Sequence, residues 1–313
     1  MSKKKILVVG SLNMDIVITM KNMPLVGETI LGEKLSHVSG GKGANQACAA
    51  ASMNGDVTML GCIGNDDFGD TQLRLLSERG VKVEQLKRVD NLPTGTAVIY
   101  VNAQGNNSIV VVAGANSACD SAFLATREQA FMDADYLLLQ MEIPTEAITY
   151  AIKRAKELNK TVILNPAPAP EHLSSKLLAQ LDYITPNETE LLKLTGLSGT
   201  DIPTMTKGAG ILLKRGVKNV LVTLGDRGAL HVNADGSRLY PTRKVKAVDT
   251  TAAGDCFNGA FVVGLSEGMS AAEAIRFANI ASSITVTRAG AQQSIPTREE
   301  TDSILAKTEA EKA

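Results

Sequence analysis

The chain has 313 residues, a hydrophobic share of 44% and a formal net charge of −1, which suits one large α/β domain with an appendage, or two domains, and excludes a basic nucleic-acid-binding surface. No apolar stretch is long enough to span a bilayer, and Lys3 to Lys5 lead directly into ILVVG without a secretory cleavage pattern, so a cytoplasmic protein with no membrane partner is expected. Cys48, Cys62, Cys119 and Cys256 lack C-x-x-C or Cys/His spacing, which argues for reduced thiols over a disulfide framework or zinc.

In chain order, ILVVG from Ile6 reads as a first strand, and 15–38 as a β-rich insertion that carries IVITM. A glycine run, SGGKGANQACAAA from Ser39 to Ala51, then feeds an alanine-rich helix. VTMLG from Val57 is a strand and 70–78 a helix, followed by a second β-rich insertion, 94–113, with TAVIYVN and NSIVVVA separated by a Gln104-Gly-Asn-Asn turn. Strands YLLLQ from Tyr136, TVILN from Thr161, DYITP from Asp182 and VLVTLG from Val220 alternate with helices over 145–159, 188–194 and 271–287. Asn187 with Glu190, and Thr297 with Glu300, have capping-box spacing. The tail from about Lys307 is expected to be disordered. The alternation predicts an α/β fold: a three-layer, mostly parallel central sheet with helices on both faces, formed by 1–14, 39–93 and 114–313. The insertions 15–38 and 94–113 predict a small separate β-sheet.

The densest chemistry lies in VDTTAAGDCFNGA, from Val248 to Ala260. Ala252, Ala253 and Gly254 are small enough for backbone N–H groups to approach a polyanion, and the helix running on from Asp255 adds its positive dipole end. Asp255 reads either as an ordinary first-turn acid or as a base taking a proton from an attacking hydroxyl beside that anion hole. Neither glycine run is a P-loop, and the glycines near Gly10 do not form a dinucleotide fingerprint, so a nicotinamide oxidoreductase is disfavoured. Sites in such sheets gather beyond the carboxyl ends of strands, where Asn13, Glu142, Asn165, Asn187 and Gly225 fall. Asn13 and Asp15 bring an amide and a carboxylate to a strand end, where N-x-D by itself also serves as a plain turn.

Seven motifs in order, GSLNMD from Gly10, GGKGANQA from Gly40, NPAPAP from Asn165, TPNETE from Thr185, TLGDRG from Thr223, the Asp255 run, and VTRAGAQQS from Val286, make the chain resemble the ribokinase family, within the larger group of sugar and nucleoside kinases. The resemblance implies ATP-dependent phosphorylation of D-ribose at O5, with Asp255 as base and backbone groups of Ala252, Ala253 and Gly254 as the anion hole. It implies sugar contacts from Asn13, Met14, Asp15, Gly41, Lys42, Gly43, Ala44, Asn45, Glu142 and Asp255. ATP would be bordered by Thr223, Leu224, Gly225, Asp226, Arg227, Gly228, Gly254, Asp255 and Asn279, while Asn187 approaches the phosphates and Glu190 orders Mg2+ through water. A potassium ion would take the Asp249 carboxylate and the groups at Thr251, Thr285, Arg288, Gly290 and Ser294. The small sheet would be a lid over the sugar through which two chains form a homodimer. Deoxyribose, fructose and adenosine are the alternative acceptors, and a non-catalytic sugar sensor is the alternative of a different class. Ala252 stands where many relatives carry Gly, and Cys256 where Thr is frequent.

Overall fold

A computed structural model describes residues 3–310. Its strands are β1 (Lys5–Val9), β2 (Asn13–Met20), β3 (Lys34–Gly40), β4 (Asp56–Leu60), β5 (Cys62–Gly64), β6 (Lys87–Val89), β7 (Gly95–Asn102), β8 (Asn107–Val112), β9 (Tyr136–Leu139), β10 (Thr161–Leu164), β11 (Tyr183–Ile184), β12 (Asn219–Thr223), β13 (Ala229–Asn233) and β14 (Gly236–Tyr240). Its α-helices are α1 (Lys42–Ser52), α2 (Asp67–Glu78), α3 (Ser121–Ala125), α4 (Glu128–Asp133), α5 (Thr145–Glu157), α6 (Ser175–Leu178), α7 (Glu188–Thr195), α8 (Ile202–Lys214), α9 (Ala253–Ser266), α10 (Ala271–Thr285) and α11 (Arg298–Ala310).

Eight strands form the central sheet in the order β14-β13-β12-β11-β10-β9-β1-β4, parallel from β12 to β4. Parallel strands covered on both faces are apolar throughout, and alternate residues of β1 serve opposite layers. Leu7 and Val9 join Leu137, Leu139 and the buried residues of α5 on one side, while Ile6 and Val8 join α1, α9 and α10 on the other. Helix α9 is buried along almost its whole circumference from Asp255 to Leu265, as expected of a helix packed between two others and a sheet. A Cβ at Gly259 would stand 2.6 Å from the Ala49 Cβ and 2.8 Å from the Gln46 carbonyl, so this glycine is what lets α9 and α1 approach closely.

The insertions form a separate four-stranded sheet, β3-β2-β7-β8, in which β2 pairs in parallel with β7. It begins at Asn13 and returns at Gly40, two residues beyond the expected bounds on each side, because the Asn13–Gly40 pairing continues the ladder into both glycine-flanked loops. Four other features depart from the sequence reading. The antiparallel hairpin β13–β14 extends the sheet edge, and α8 forms behind an Asp201 cap with Pro in its first turn despite Gly208 and Gly210 in its interior. Helix α2 begins at Asp67, where the Asp66 side chain accepts from the Gly69 N–H, and α11 continues to Ala310 although disorder was expected from Lys307; 311–313 lie outside the described residues. The Thr297–Glu300 pair forms its reciprocal cap, with bonds of 2.9 and 3.3 Å. Among the described residues no helix is long and apolar enough to cross a membrane.

Candidate active site

Helix α9 starts where Ala252 turns the chain with φ 59° and ψ 8°, a left-handed conformation that points successive N–H groups into one concavity. The Ala253 N–H is engaged by the Thr250 carbonyl at 3.3 Å, whereas among the described residues no acceptor is found for the N–H groups of Ala252, Gly254 and Asp255. A Cβ on Gly254 would meet nothing within 4 Å, so the cradle opens onto free space. Asp255 follows in the first turn and is only 7% exposed. Its Oδ2 accepts from Asn45 Nδ2 at 3.0 Å and its Oδ1 from Gln46 Nε2 at 2.9 Å, both donors coming from α1.

On the side of the small sheet, Asn13 and Asp15 are the first and third residues of β2. Asn116 donates to the Asn13 Oδ1 at 2.7 Å and bonds both backbone groups of Leu12, fixing the direction in which the Asn13 amide points. The Asp15 carboxyl lies across Gly40, where a Cβ would stand 2.6 Å from its Cγ. Burial, then the neighbouring Glu142 carboxylate, raise the Asp15 pKa to about 7 against the opposing influence of Lys42. Burial by itself would lower the proton affinity of Lys42, but the carboxylates of Asp255, Glu142, Glu190 and Asp15 hold it above its ordinary value. Glu142 is not a solvated loop acid. Its Oε2 accepts from the Ser11 hydroxyl at 2.5 Å and from the Lys42 N–H at 2.9 Å, capping α1, whose own cap residue Gly41 has no side chain to offer.

Three neighbouring concavities lie around the start of α9. One of about 970 Å³ lies under the small sheet and is lined by Asn13, Asp15, Gly41, Lys42, Asn45, Glu142 and Asp255. A second of about 600 Å³ is lined by Asn187, Thr223, Gly225, Asp226, Gly228, Gly254 and Asn279. A third of about 190 Å³ joins them, sharing Lys42 and Asp255 with the first and Asn187 and Gly254 with the second, and is also lined by Glu190. The Asn187 and Glu190 side chains close a reciprocal cap at the start of α7, and burial raises the Glu190 pKa despite its bond from the Asn187 N–H. That cap uses Asn187 Oδ1 and Glu190 Oε2, so it leaves the Asn187 amide nitrogen and Glu190 Oε1 for other partners.

Other expected site residues lie elsewhere. Met14 faces the opposite side of β2 from the sugar-side concavity, Ala44 and Leu224 are core, and Arg227 turns to Glu188 and to the Thr200 carbonyl at 2.8 Å. Gly43 abuts Ser11, whose N–H would be 2.6 Å from a Cβ, so it serves the approach of α1 to the β1–β2 loop. Asn279 donates to the Tyr240 carbonyl at 2.9 Å at the rim of the second concavity.

Around Asp249, the N–H groups of Thr251 and Gly290 each donate at 2.9 Å; against the effect of burial, the Thr251 side chain first and then these N–H groups hold its carboxyl below the usual range. The Thr285 carbonyl accepts from the Arg288 N–H at 3.0 Å, the Arg288 guanidinium pairs with Glu300, and the Ser294 hydroxyl donates to the Ala291 carbonyl at 2.6 Å. Sequence reasoning missed the roles of Ser11, Gln46, Asn116, Gln140 and Thr185. Gln46 was discoverable in principle, as a long amide inside an otherwise small-residue helix.

The profile of the pfkB family carbohydrate kinases matches residues 3–298. The chain belongs to the pfkB family of carbohydrate kinases. A ribokinase from Haemophilus influenzae is 42% identical over 299 residues, covering 96% of this chain and 97% of the relative. A deoxyribokinase from Salmonella typhi is 34% identical over 304 residues, covering 97% and 99%. The structure of an Arabidopsis thaliana ribokinase complexed with ribose and ATP superposes with a TM-score of 0.92 at 34% identity, covering 97% of this chain and 99% of that one. Membership makes the protein an ATP-using phosphotransferase, and it supplies a chemical context for an acid placed between two open concavities.

Proposed function

We propose that this kinase transfers the γ-phosphoryl group of ATP to the O5 hydroxyl of D-ribose, giving ribose 5-phosphate and ADP. The observation that carries the reading is the position of Asp255: its carboxylate borders the concavity under the small sheet and the small one beside the N–H cradle. In this reading the sugar lies under the small sheet, held by Asn13, Asp15 and Asn45, and ATP lies along Thr223, Gly225, Asp226, Gly228 and Asn279. Asp255 takes the hydroxyl proton, while the cradle and Lys42 stabilise charge on the transferring group. A sheet closing over the sugar keeps out water that would otherwise accept the phosphoryl group. A non-catalytic sensor would have no use for an acid at this junction.

Glu190 fits Mg2+ ordered through water, since its Oε1 stays outside the cap, and the ion would neutralise phosphate charge; the Asn187 amide nitrogen is left as a donor for the phosphate oxygens. The groups around Asp249 fit potassium: an ionised carboxylate and carbonyl oxygens form a hard donor set, and the cation would shape the loop next to the cradle without touching ATP. Two chains would pair through the small sheet, and a cytoplasmic location supplies the ATP. The similarity to a deoxyribokinase favours 2-deoxyribose as the second acceptor to examine.

The test is a coupled assay of ADP release with ribose, 2-deoxyribose, fructose and adenosine, in potassium and in tetramethylammonium. Ribose is expected to give the highest kcat/KM and potassium the higher rate. Asp255→Asn is expected to keep both substrates bound and to lose about two to four orders of magnitude in kcat. Near-normal turnover by that folded variant would remove the proposed base.

A further inference from the structure

The two oxygens of Asp255 meet different surroundings. Oδ2 faces Asn45, which lines the concavity under the small sheet and whose own Oδ1 is buried with no partner among the described residues. Oδ1 faces Gln46, which is fully buried. The orientation of the Gln46 amide is dictated from behind. The Thr185 carbonyl is a main-chain acceptor that cannot become a donor, and it accepts from Asn165 Nδ2 at 2.9 Å. This turns Asn165 Oδ1 toward Gln46, whose Nε2 donates to it at 3.1 Å and to Asp255 Oδ1 at 2.9 Å. Gln46 Oε1 in turn accepts from Gln140 Nε2 at 2.7 Å. Inverting the Gln46 amide would set its oxygen against both Asn165 Oδ1 and the Asp255 carboxylate. Gly10 makes room for the far end of this chain: a Cβ there would stand 2.0 Å from Gln140 Oε1 and 2.9 Å from the Gly43 Cα.

Resting on the kinase reading above, we propose that Thr185, Asn165, Gln46 and Gln140 form an amide chain that keeps Asp255 Oδ1 a permanent acceptor, so that the sugar's proton is received on Oδ2. In the transfer step the O5–H bond breaks and an Oδ2–H bond forms, while O5 bonds to the γ-phosphorus. The bond from that phosphorus to the bridging oxygen breaks, and its electron pair leaves with ADP. Asn45 is the adaptable partner. Rotating its amide brings the unpartnered Oδ1 round to accept the new O–H, whereas Gln46 stays fixed. Gln46 and Gln140 are positioning residues, because they act on Asp255 and border none of the three concavities.

Gln46→Met and Gln140→Met remove the amides while keeping chain length. At saturating sugar and Mg-ATP, Gln46→Met is expected to lower kcat about 10- to 100-fold, with both KM values within about threefold of the parent. The acid limb of its kcat profile should move up by about one pH unit, because the ionised form has lost a donor. Gln140→Met, which does not touch Asp255, should move the limb in the same direction by less. The charged groups around Asp255 are Lys42 on α1, Asp15 on β2, Glu142 after β9 and Glu190 on α7, and none of them is altered in either variant. In an Asp255→Asn background, Gln46→Met should cost nothing further, since a positioning effect disappears with the group it positions. An unmoved acid limb in both variants, or losses that multiply with that of Asp255→Asn, would overturn the proposal while leaving Asp255 as base. Turnover surviving in Asp255→Asn alone would instead overturn the kinase reading of that residue. Should Gln46→Met not fold, Gln140→Met and its double variant with Asp255→Asn carry the same test.

Discussion

Asp15 combines binding and cost in one side chain. To accept hydrogen bonds from sugar hydroxyls on both oxygens it must be ionised, yet burial and the Glu142 carboxylate raise its pKa to about 7. The kcat/KM for ribose is therefore expected to fall as the pH drops through about 7, with kcat at saturating sugar less affected. The sign for stability is opposite. Between its ordinary value of 3.8 and about 7 the folded state binds more protons at this group than the unfolded chain, so the stability contribution of Asp15 declines as pH rises across that window. Asp15→Asn should unfold at a higher temperature than the parent at pH 8, by the equivalent of about 1–3 kcal/mol, with the difference closing toward pH 4. The same variant should raise the KM for ribose at least tenfold. Thermal melts at the two pH values, with initial rates over a ribose series, check both statements, and equal melting at pH 8 would remove the electrostatic account. None of this was legible in the letters N-x-D. It depends on Glu142, 127 positions along the chain, and on Gly40 admitting the carboxyl from the adjacent strand.

Among the elements, α9 carries the clearest conflict between local preference and position. Its cap residue is an alanine in the left-handed region, a conformation that costs a side-chain-bearing residue about 1–2 kcal/mol. Glycine would relieve that cost but would also gain freedom in the unfolded chain, which offsets about half of it. Ala252→Gly is accordingly expected to raise stability by about 0.5–1 kcal/mol in denaturant titration, with kcat within about threefold of the parent. A loss of stability would mean that the turn is held without strain. The start of α1 solves the same problem differently. Gly41, at φ 86°, supplies the turn, and the capping acceptors are imported from Ser11 and Glu142. Both helix starts were legible from small residues and glycine preceding an apolar run, because capping and turn chemistry are local. The acceptors that complete α1 were not, since nothing near Lys42 in the chain marks Glu142.

At the scale of the molecule, the small sheet presents Ile109, Val110, Val111 and Val112 in succession on edge strand β8, each between 53% and 58% exposed, with Leu31 at 93% in the β2–β3 connection. An apolar edge strand of this length is normally paired or covered, which supports the proposed dimer through this sheet. Sedimentation at micromolar concentration is expected to give a dimer for the parent and a monomer for Val110→Glu, with a lower kcat/KM for ribose in the variant; a monomeric parent would reject the interface. By itself the sequence determined the α/β class, the strand–helix alternation, the small separate sheet and the loops at the strand ends, because periodicity, turn residues and caps act over a few positions. Only the tertiary structure decided which polar groups meet. Asp255 and its amide donors lie 209 and 210 residues apart, and they are neighbours because Gly259 and Ala49 let two helices come together. The direction of an amide dipole follows from its buried partners, and the order of residues along a chain does not encode them locally.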